Sequence, residues 1–212
     1  MIVGSLIMGI EVGLRAQLEL LKSYGSKITW GERGKGLISL ARELRKGESS
    51  LRYVTLQETQ ELGLQEGLLR EFSISCVYVF YNLPDGRRLQ LIEAEQFFKT
   101  GQKIDREFSW LTEKSLNLSE TPLDTAHRAL KEELGINPNK KRLRRLRQIM
   151  QTDSANTYPG LNSRVTATDY EIVLTNEEYE DNIITLPDGQ RVHGFKETQK
   201  DKVTYFIWKE ID

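Results

Sequence analysis

The stretch that decides the fold is ETPLDTAHRALKEELGI, residues 120–136, which predicts one well-delimited helix. Thr121 is suited to cap the helix N-terminus, Pro122 suits its first position, and Asp124 completes a capping pattern. Gly135 is suited to a left-handed C-terminal cap. One apolar stripe is formed by residues spaced three or four apart: Leu123, Ala126, Leu130 and Leu134. We therefore expect a helix from about Pro122 to Leu134 that packs this stripe on a core.

Charged residues occupy the rest of this helix. Glu132 and Glu133 are adjacent carboxylates, which repel each other unless a cation lies between them. Mg²⁺ accepts oxygen ligands and keeps water molecules in its coordination sphere, so a hard divalent ion fits such a pair. Arg128 precedes Glu132 by one helical turn and can hold that carboxylate in place. Glu120 lies just before the helix, where a loop can fold it toward the same face.

These residues resemble the Nudix box, G-x5-E-x7-R-E-U-x-E-E-x-G-U, in which U is aliphatic. Glu120, Arg128, Glu132, Glu133, Gly135 and Ile136 match it without a gap. The resemblance implies an α/β fold, a Nudix-like α/β/α sandwich with a mixed sheet. It also implies hydrolysis of a nucleoside diphosphate linked to another moiety, with Mg²⁺ or Mn²⁺ as cofactor.

The resemblance also implies roles for individual residues. Glu132 and Glu133 would be catalytic and would bind the metal together with Glu120, and Arg128 would orient them. Metal would neutralise the phosphate oxygens and polarise the attacking water. The residues that bind the rest of the substrate lie outside the box, in loops without a recognisable pattern.

Two positions depart from the box. Its opening glycine is Lys114, so the loop before Glu120 must turn differently, because lysine tolerates positive φ poorly. The glutamate that should follow Arg128 is Ala129, which removes one carboxylate from the expected metal site. Losing such a group commonly reduces the rate by about 10²–10⁴. Four acidic residues are candidates to replace it: Glu113, Asp124, Glu197 and Asp201.

Strands are predicted on both sides of this helix, and with it they make up a Nudix-like domain over residues 73–212. Segments rich in β-branched and aromatic residues indicate strands at 73–81, 88–94, 144–152, 165–174 and 203–209. The tripeptide Pro-Asp-Gly occurs at 84–86 and again at 187–189, and it is typical of a hairpin turn. We therefore expect two hairpins.

Residues 1–72 are predicted to form a helical N-terminal extension. Apolar residues recur at helical spacing from Ile7 to Leu21 and from Leu37 to Leu44, and a weaker helical region covers 55–69. The Nudix resemblance does not account for these helices. They either cover the sheet or form a contact between two copies of the chain, and the oligomeric state stays open.

Composition limits the partners and the compartment. The 212 residues carry a net charge of −1, with one cysteine and two histidines, so a disulfide framework and a histidine-only metal site are excluded. We expect a cytoplasmic protein, and no segment suggests a membrane partner. Nucleic acid is a possible partner only through Lys140 to Arg147, where six of eight residues are basic. A solvated strand edge is the favoured interpretation of that segment, because no aromatic residues are interleaved.

Two functional hypotheses follow from these residues. In one, the chain is a metal-dependent diphosphate hydrolase with an altered ligand set. In the other, it is a catalytically weak or inactive Nudix-fold module that binds a nucleotide, RNA or protein partner. Ala129 favours the module, and the residues that match the box favour the enzyme, which we take as the leading hypothesis.

Overall fold

A computed structural model of the chain describes residues 13–24, 36–64, 66–117, 119–154, 158 and 160–211. The helices are α1 (Leu14–Tyr24), α2 (Leu37–Lys46), α3 (Leu56–Leu62), α4 (Pro122–Glu133) and α5 (Asn176–Glu180). The strands are β1 (Ser50–Val54), β2 (Gly67–Asn82), β3 (Arg88–Phe98), β4 (Lys103–Phe108), β5 (Leu111–Lys114), β6 (Arg144–Ser154), β7 (Asn162–Val173), β8 (Ile183–Thr185), β9 (Arg191–Thr198) and β10 (Lys202–Ile211).

The chain divides into two compact units. The first contains residues 1–72 and 151–165, and the second contains 73–150 and 166–212. Strands β2, β6 and β7 are long enough that each contributes residues to both units. Among the described helices, none is long and apolar enough to cross a bilayer.

The first unit is not purely helical, which corrects the predicted helical extension. Strand β1 follows α2 and pairs antiparallel with residues 67–71 of β2. The helical region expected over 55–69 ends at Leu62 because Gly63 adopts a left-handed φ of 64°. The first part of the predicted helix, with Ile7 and Ile10, lies outside the described residues. Its later residues form α1, and Leu37 to Leu44 form most of α2, as predicted.

The core of the first unit is apolar but encloses one ion pair. Leu21, Leu40, Leu44, Leu51, Leu68, Tyr158 and Leu161 make up this core. Arg70 donates to Glu43 at 2.7 Å, and Tyr158 donates its hydroxyl to the same carboxylate at 2.9 Å. These hydrogen bonds satisfy a charge that would otherwise be costly to bury.

The second unit is built on a sheet with the strand order β6-β7-β2-β3-β10-β9-β8. Two further strands lie off this path, β4 beside β3 and β5 beside β2. Both predicted hairpins are present, since β2–β3 turns at Gly86 and β8–β9 turns at Gly189. Both glycines have φ near 90°, a value that explains why each turn contains a glycine.

The predicted α/β fold with a mixed sheet is confirmed. All five predicted strands are present, and most extend further than expected at their ends. Strands β4 and β5 were not predicted, because β4 is mostly exposed and polar and β5 has only four residues.

Helix α4 packs on the core of the second unit. Ala126 and Leu130, from the predicted stripe, are fully buried, together with Val77, Val79, Ile172 and Phe206. This packing fixes which way the charged side of α4 faces, and the candidate site lies at its C-terminal end.

Candidate functional site

The ends of α4 follow the sequence closely. The Thr121 hydroxyl accepts a hydrogen bond from the Asp124 amide at 3.1 Å, and Pro122 occupies the first helical position. At the other end Gly135 has a φ of 72°, and the amide of Ile136 donates to the carbonyl of Leu130 at 3.3 Å. The helix therefore stops directly after the adjacent carboxylates Glu132 and Glu133.

Arg128 is the centre of an ion-pair network on α4. Its guanidinium lies 2.9 Å from Glu120, 3.3 Å from Glu132 and 3.3 Å from Glu113, measured between nitrogen and carboxylate oxygen. It also donates to the main-chain carbonyl of Lys114 at 2.8 Å. One cation thus fixes carboxylates from β5, from the loop before α4 and from α4 itself.

Glu120 faces Arg128 rather than open space. Its second oxygen accepts a hydrogen bond from the Leu116 amide at 2.7 Å. Burial opposes ionisation of Glu120, but Arg128 and the Leu116 amide outweigh it and lower the pKa of the carboxyl. Glu120 is not among the residues that line the cavity described below. Its predicted role as a metal ligand stays a prediction, and its contacts make it a partner of Arg128.

Lys114, at the position of the box glycine, ends strand β5. Among the described residues, only glycines have positive φ, so Lys114 does not adopt the conformation that a glycine permits. The loop follows a different path, as the sequence predicts, and still brings the Lys114 carbonyl to Arg128.

A cavity of about 470 Å³ lies beside the C-terminal half of α4. It is lined by Glu93, Gln96, Arg106, Phe108, Trp110, Thr112, Glu113, Glu132, Glu133, Glu197, Gln199, Lys202 and Thr204. Five carboxylates therefore face two cationic side chains. The excess of negative charge makes this cavity suited to a cation.

The pKa of the Glu133 carboxyl is strongly raised. Burial raises its pKa to about 8, and the neighbouring charges of Glu197, Glu113 and Glu93 add to the rise, while Lys202 opposes it. Burial also raises the pKa of Glu113, although Arg128 opposes that shift. A cation between these carboxylates would lower both pKa values.

Ala129 occupies the position of the missing box glutamate and is fully buried in the core. Of the four acidic residues considered as replacements, Glu113 and Glu197 line the cavity. Asp124 instead pairs with Lys140 and accepts a hydrogen bond from the hydroxyl of the N-cap Thr121, and Asp201 is not a lining residue. Carboxylates from β5 and β9 therefore line the cavity, to which Ala129 contributes no side chain.

Strand β9, which carries Glu197, approaches β10 closely at a glycine. Strand β9 pairs with β10, and Gly194 lies opposite Ile207. A Cβ atom at position 194 would collide with the carbonyl oxygen of Phe206. Glycine therefore permits the close approach of β9 to β10, and Glu197 lies three residues further along β9.

The donor set fits Mg²⁺ or Mn²⁺ in its chemistry, since hard divalent ions prefer carboxylate oxygens and water. The raised pKa of Glu133 is a second sign of fit, because its main electrostatic causes are neighbouring carboxylates. Within the described ranges, however, no three Asp, Glu, His or Cys side chains converge closely enough to form a ready-made metal site. The carboxylates would have to move toward one another to bind an ion.

Sequence reasoning missed Glu93, Arg106 and Lys202 among the charged residues of the cavity. Glu93 lies on β3 opposite Phe206 of β10. Beside Glu93 the register shifts in the pairing of β3 with β10 and also in its pairing with β4. A charged residue inside a half-buried strand was the available signal. Arg106 pairs with Glu93 at 3.0 Å, and this contact depends on β4, which the sequence did not reveal.

The basic segment Lys140–Arg147 is largely neutralised by acidic partners. Four of its six basic side chains form ion pairs, namely Lys140 with Asp124, Arg142 with Glu178, Arg144 with Glu171 and Arg147 with Asp169. Three of these partners come from β7 and α5. The favoured interpretation, a solvated strand edge rather than a nucleic-acid site, agrees with these contacts.

Comparisons with known proteins give remote similarities only. No family model matches the sequence, and no curated protein matches it. A MutT/nudix family protein from Enterococcus faecalis is 14% identical with a TM-score of 0.40, and the match covers 75% of this chain and 59% of that one. The binary complex of a C. elegans Ap4A hydrolase is 16% identical with a TM-score of 0.33, over 66% of this chain and 80% of that one.

A third similar structure is the Nudix hydrolase RenU from M. smegmatis. It is 14% identical with a TM-score of 0.31, over 49% of this chain and 62% of that one. These structures are Nudix proteins, the family whose box the sequence resembles. All three TM-scores are below 0.5, so the function has to be argued from the residues of this chain.

Proposed function

We propose that this protein is a divergent Nudix-type hydrolase that cleaves the diphosphate of a nucleoside diphosphate linked to another moiety, with Mg²⁺ or Mn²⁺ as cofactor. The observation that carries the proposal is the location of the cavity. It lies where the box-like segment ends, and Glu132 and Glu133 of that segment line it together with three carboxylates from the sheet.

Charge explains why a divalent ion belongs in the proposal. A diphosphate is an anion, and a cavity with five carboxylates and two cationic side chains would repel it. A bound divalent ion would offset the carboxylates, attract the phosphate oxygens and polarise the attacking water. Glu132 and Glu133 would hold it, and Glu113 and Glu197 are placed to replace the carboxylate missing at Ala129.

The chain's own residues have distinct tasks in this proposal. The oxygen of a water molecule forms a bond to one phosphorus, the bridging P–O bond breaks, and the water's proton passes to a cavity carboxylate. Arg128 holds Glu113 and Glu132 through its guanidinium, and Glu120 holds Arg128. Lys202 is the cavity cation available to phosphate oxygens, since Arg106 pairs with Glu93 at 3.0 Å.

Ala129 supports a second candidate function. A buried methyl group at a position where the family has a carboxylate is what a module that binds without turnover would tolerate. A nucleotide or protein partner suits this alternative better than RNA, because most of the basic segment is ion-paired. The two candidates differ in catalysis rather than in the location of the site.

The test combines turnover with metal binding. Purified protein is incubated with Mg²⁺ or Mn²⁺ and a panel of nucleoside diphosphate derivatives, and products are separated by chromatography. We expect hydrolysis that Glu133→Gln reduces by about 10²–10⁴. The matched control is Glu177→Gln, which changes an exposed carboxylate of α5 outside the cavity and should leave the rate unchanged.

Calorimetric titration with Mn²⁺ separates the two candidates. Binding that Glu133→Gln weakens, together with turnover, supports the hydrolase. Binding of Mn²⁺ or nucleotide without turnover supports the module. Turnover that is insensitive to Glu133→Gln would overturn the assignment of this carboxylate.

A further inference from the structure

Strand β6 lies at one end of the strand order of the sheet, and its outer edge is open. The strand runs unbroken over eleven residues, Arg144–Ser154, and it pairs with β7 on one side. No described strand pairs with its other side. Residues 144–151 are all exposed. Such an edge presents a row of backbone N–H and carbonyl groups that can pair with a further strand.

The exposed surface of β6 includes apolar side chains on both of its faces. Leu146 and Ile149 are each 42% exposed, and Met150 is 65% exposed. Successive side chains of a strand point to opposite faces, so Leu146 and Met150 share one face and Ile149 lies on the other. Exposed apolar side chains along an open edge favour pairing with a strand of another chain.

The basic side chains of β6 do not protect this edge from pairing. Charged side chains normally keep edge strands apart, but here Arg144 pairs with Glu171 and Arg147 with Asp169, each at 2.6 Å. Arg145 donates to a glutamine side chain of the same strand at 2.6 Å and has no ion pair within the described ranges. One exposed positive charge on β6 is therefore left for a partner to balance.

The sequence of β6 is complementary to itself in an antiparallel register. A two-fold axis perpendicular to the sheet places the strand antiparallel to its own copy. With the axis at Ile149, Arg145 of each copy lies opposite Asp153 of the other, so the dimer contains this pair twice. The two Ile149 side chains then lie opposite each other, and Leu146 lies diagonally across from Met150, within reach of a long side chain.

The charges also select this register over its neighbours. Shifting the axis along the strand places Asp153 opposite Arg144 or Arg147 instead. Both of these arginines already pair with acidic residues of β7. The axis at Ile149 brings Asp153 to Arg145, whose charge the described part of its own chain does not balance.

We propose that β6 is a contact between two copies of this chain, which pair along it antiparallel across a two-fold axis at Ile149. The edge is solvated in a single copy and becomes an inner part of a continuous sheet in the dimer. Pairing uses up the open edge of both copies, so the assembly closes at two. The inference does not depend on the proposed function, because no residue of β6 lines the cavity beside α4.

Sedimentation equilibrium of the full chain at a series of concentrations tests the contact, and we expect a reversible equilibrium between monomer and dimer. Arg145→Glu and Asp153→Arg each turn both attractive pairs of the dimer into repulsive ones. Each should therefore raise the Kd of the dimer about 5- to 100-fold. Lys141→Glu is the matched control, since it makes the same charge change at an exposed residue before β6 and should leave the Kd unchanged.

Mixing the two variants tests the register itself. A mixed dimer of Arg145→Glu with Asp153→Arg has opposite charges facing each other at both pairs again. We expect the equimolar mixture to dimerise with a Kd close to that of the unmodified chain, although each variant alone dimerises weakly. Circular dichroism of the separate variants checks that both are folded.

Three results would overturn the proposal. The first is a chain that stays monomeric up to about 1 mM, a concentration at which even a weak contact is populated. The second is a dimer that neither substitution weakens, or that Lys141→Glu weakens equally. The third is a mixture of folded variants that does not regain the dimer, because the two strands would then not pair in this register.

Discussion

The cavity beside α4 and the basic segment Lys140–Arg147 are both rich in charge, yet they differ in how that charge is balanced. Most basic side chains of the segment have an acidic partner on a neighbouring element. In the cavity, Arg106 pairs with Glu93 and Arg128 pairs with Glu113 and Glu132, but Glu133 and Glu197 have no ion pair among the described residues. Burial raises the pKa of Glu133 to about 8, and the neighbouring charges of Glu197, Glu113 and Glu93 add to the rise. Charge that the fold itself balances indicates a structural role, whereas unbalanced charge in a cavity indicates a ligand.

If the two regions differ in this way, the substitution expected to change stability most is Arg128→Ala. The variant leaves Glu113 and Glu120 without their shared guanidinium, and both are mostly buried. We expect the free energy of unfolding, measured in urea, to fall by about 2–4 kcal/mol. Arg145→Ala, in the basic segment, should change it by less than about 0.5 kcal/mol. Equal effects of the two substitutions would contradict the distinction.

A smaller effect of opposite sign is expected from Glu133→Gln in the metal-free protein. The pKa of Glu133 is about 8 in the folded chain against 4.5 for an unperturbed glutamate. Ionisation is therefore unfavourable in the folded state, and Glu133 reduces stability progressively as the pH rises from about 4.5 to about 8. Below that window the carboxyl is protonated in both states and stability is unaffected.

Glu133→Gln should thus stabilise the protein in EDTA at pH 8 by roughly 1–3 kcal/mol and have little effect at pH 4. Melting curves at the two pH values measure the difference. Glu177→Gln, whose carboxylate is exposed, should show no such dependence on pH. A stabilisation that is equal at both pH values would show that the cause is packing rather than charge.

The smallest effect is expected in the basic segment itself. Lys141 and Arg145 are the members of that segment without an ion pair among the described residues, and both are exposed. If the segment is a solvated strand edge, the double variant Lys141→Gln/Arg145→Gln should bind single-stranded RNA no differently from the unmodified chain. A filter-binding series over increasing salt measures this. RNA affinity that falls with salt in the unmodified chain and is lost in the variant would make the segment a nucleic-acid site.

The extent to which the sequence predicts the site follows from how local each interaction is. The limits of α4, its caps and the pairing of Arg128 with Glu132 involve residues within one or two helical turns, so they were predictable. Glu120 and Arg128 are eight residues apart in the chain, and the sequence predicted only that Glu120 lies near this face of α4, not that it pairs with Arg128. Glu93 and Arg106 enter the cavity through the pairing of β3 with β4, which no local pattern indicates.

The predicted helical extension also shows that local sequence does not reveal strand pairing. Residues 67–69 match a helical pattern, but they form the start of β2 because β1 provides a partner strand. Pairing with a distant strand contributes hydrogen bonds and burial that outweigh local preference. Gly63 was a local sign that the helix ends earlier.

By itself, the sequence determined the helix α4, its two adjacent carboxylates, the pairing of Arg128 with one of them, Glu132, and the two hairpins. These features depend on chemistry between residues close in the chain. Only the tertiary structure decided that Glu113 and Glu197 line the cavity with Glu132 and Glu133, and that most of the basic segment is ion-paired. Each of these depends on which strands lie side by side, and sheet pairing joins residues that are far apart in the chain.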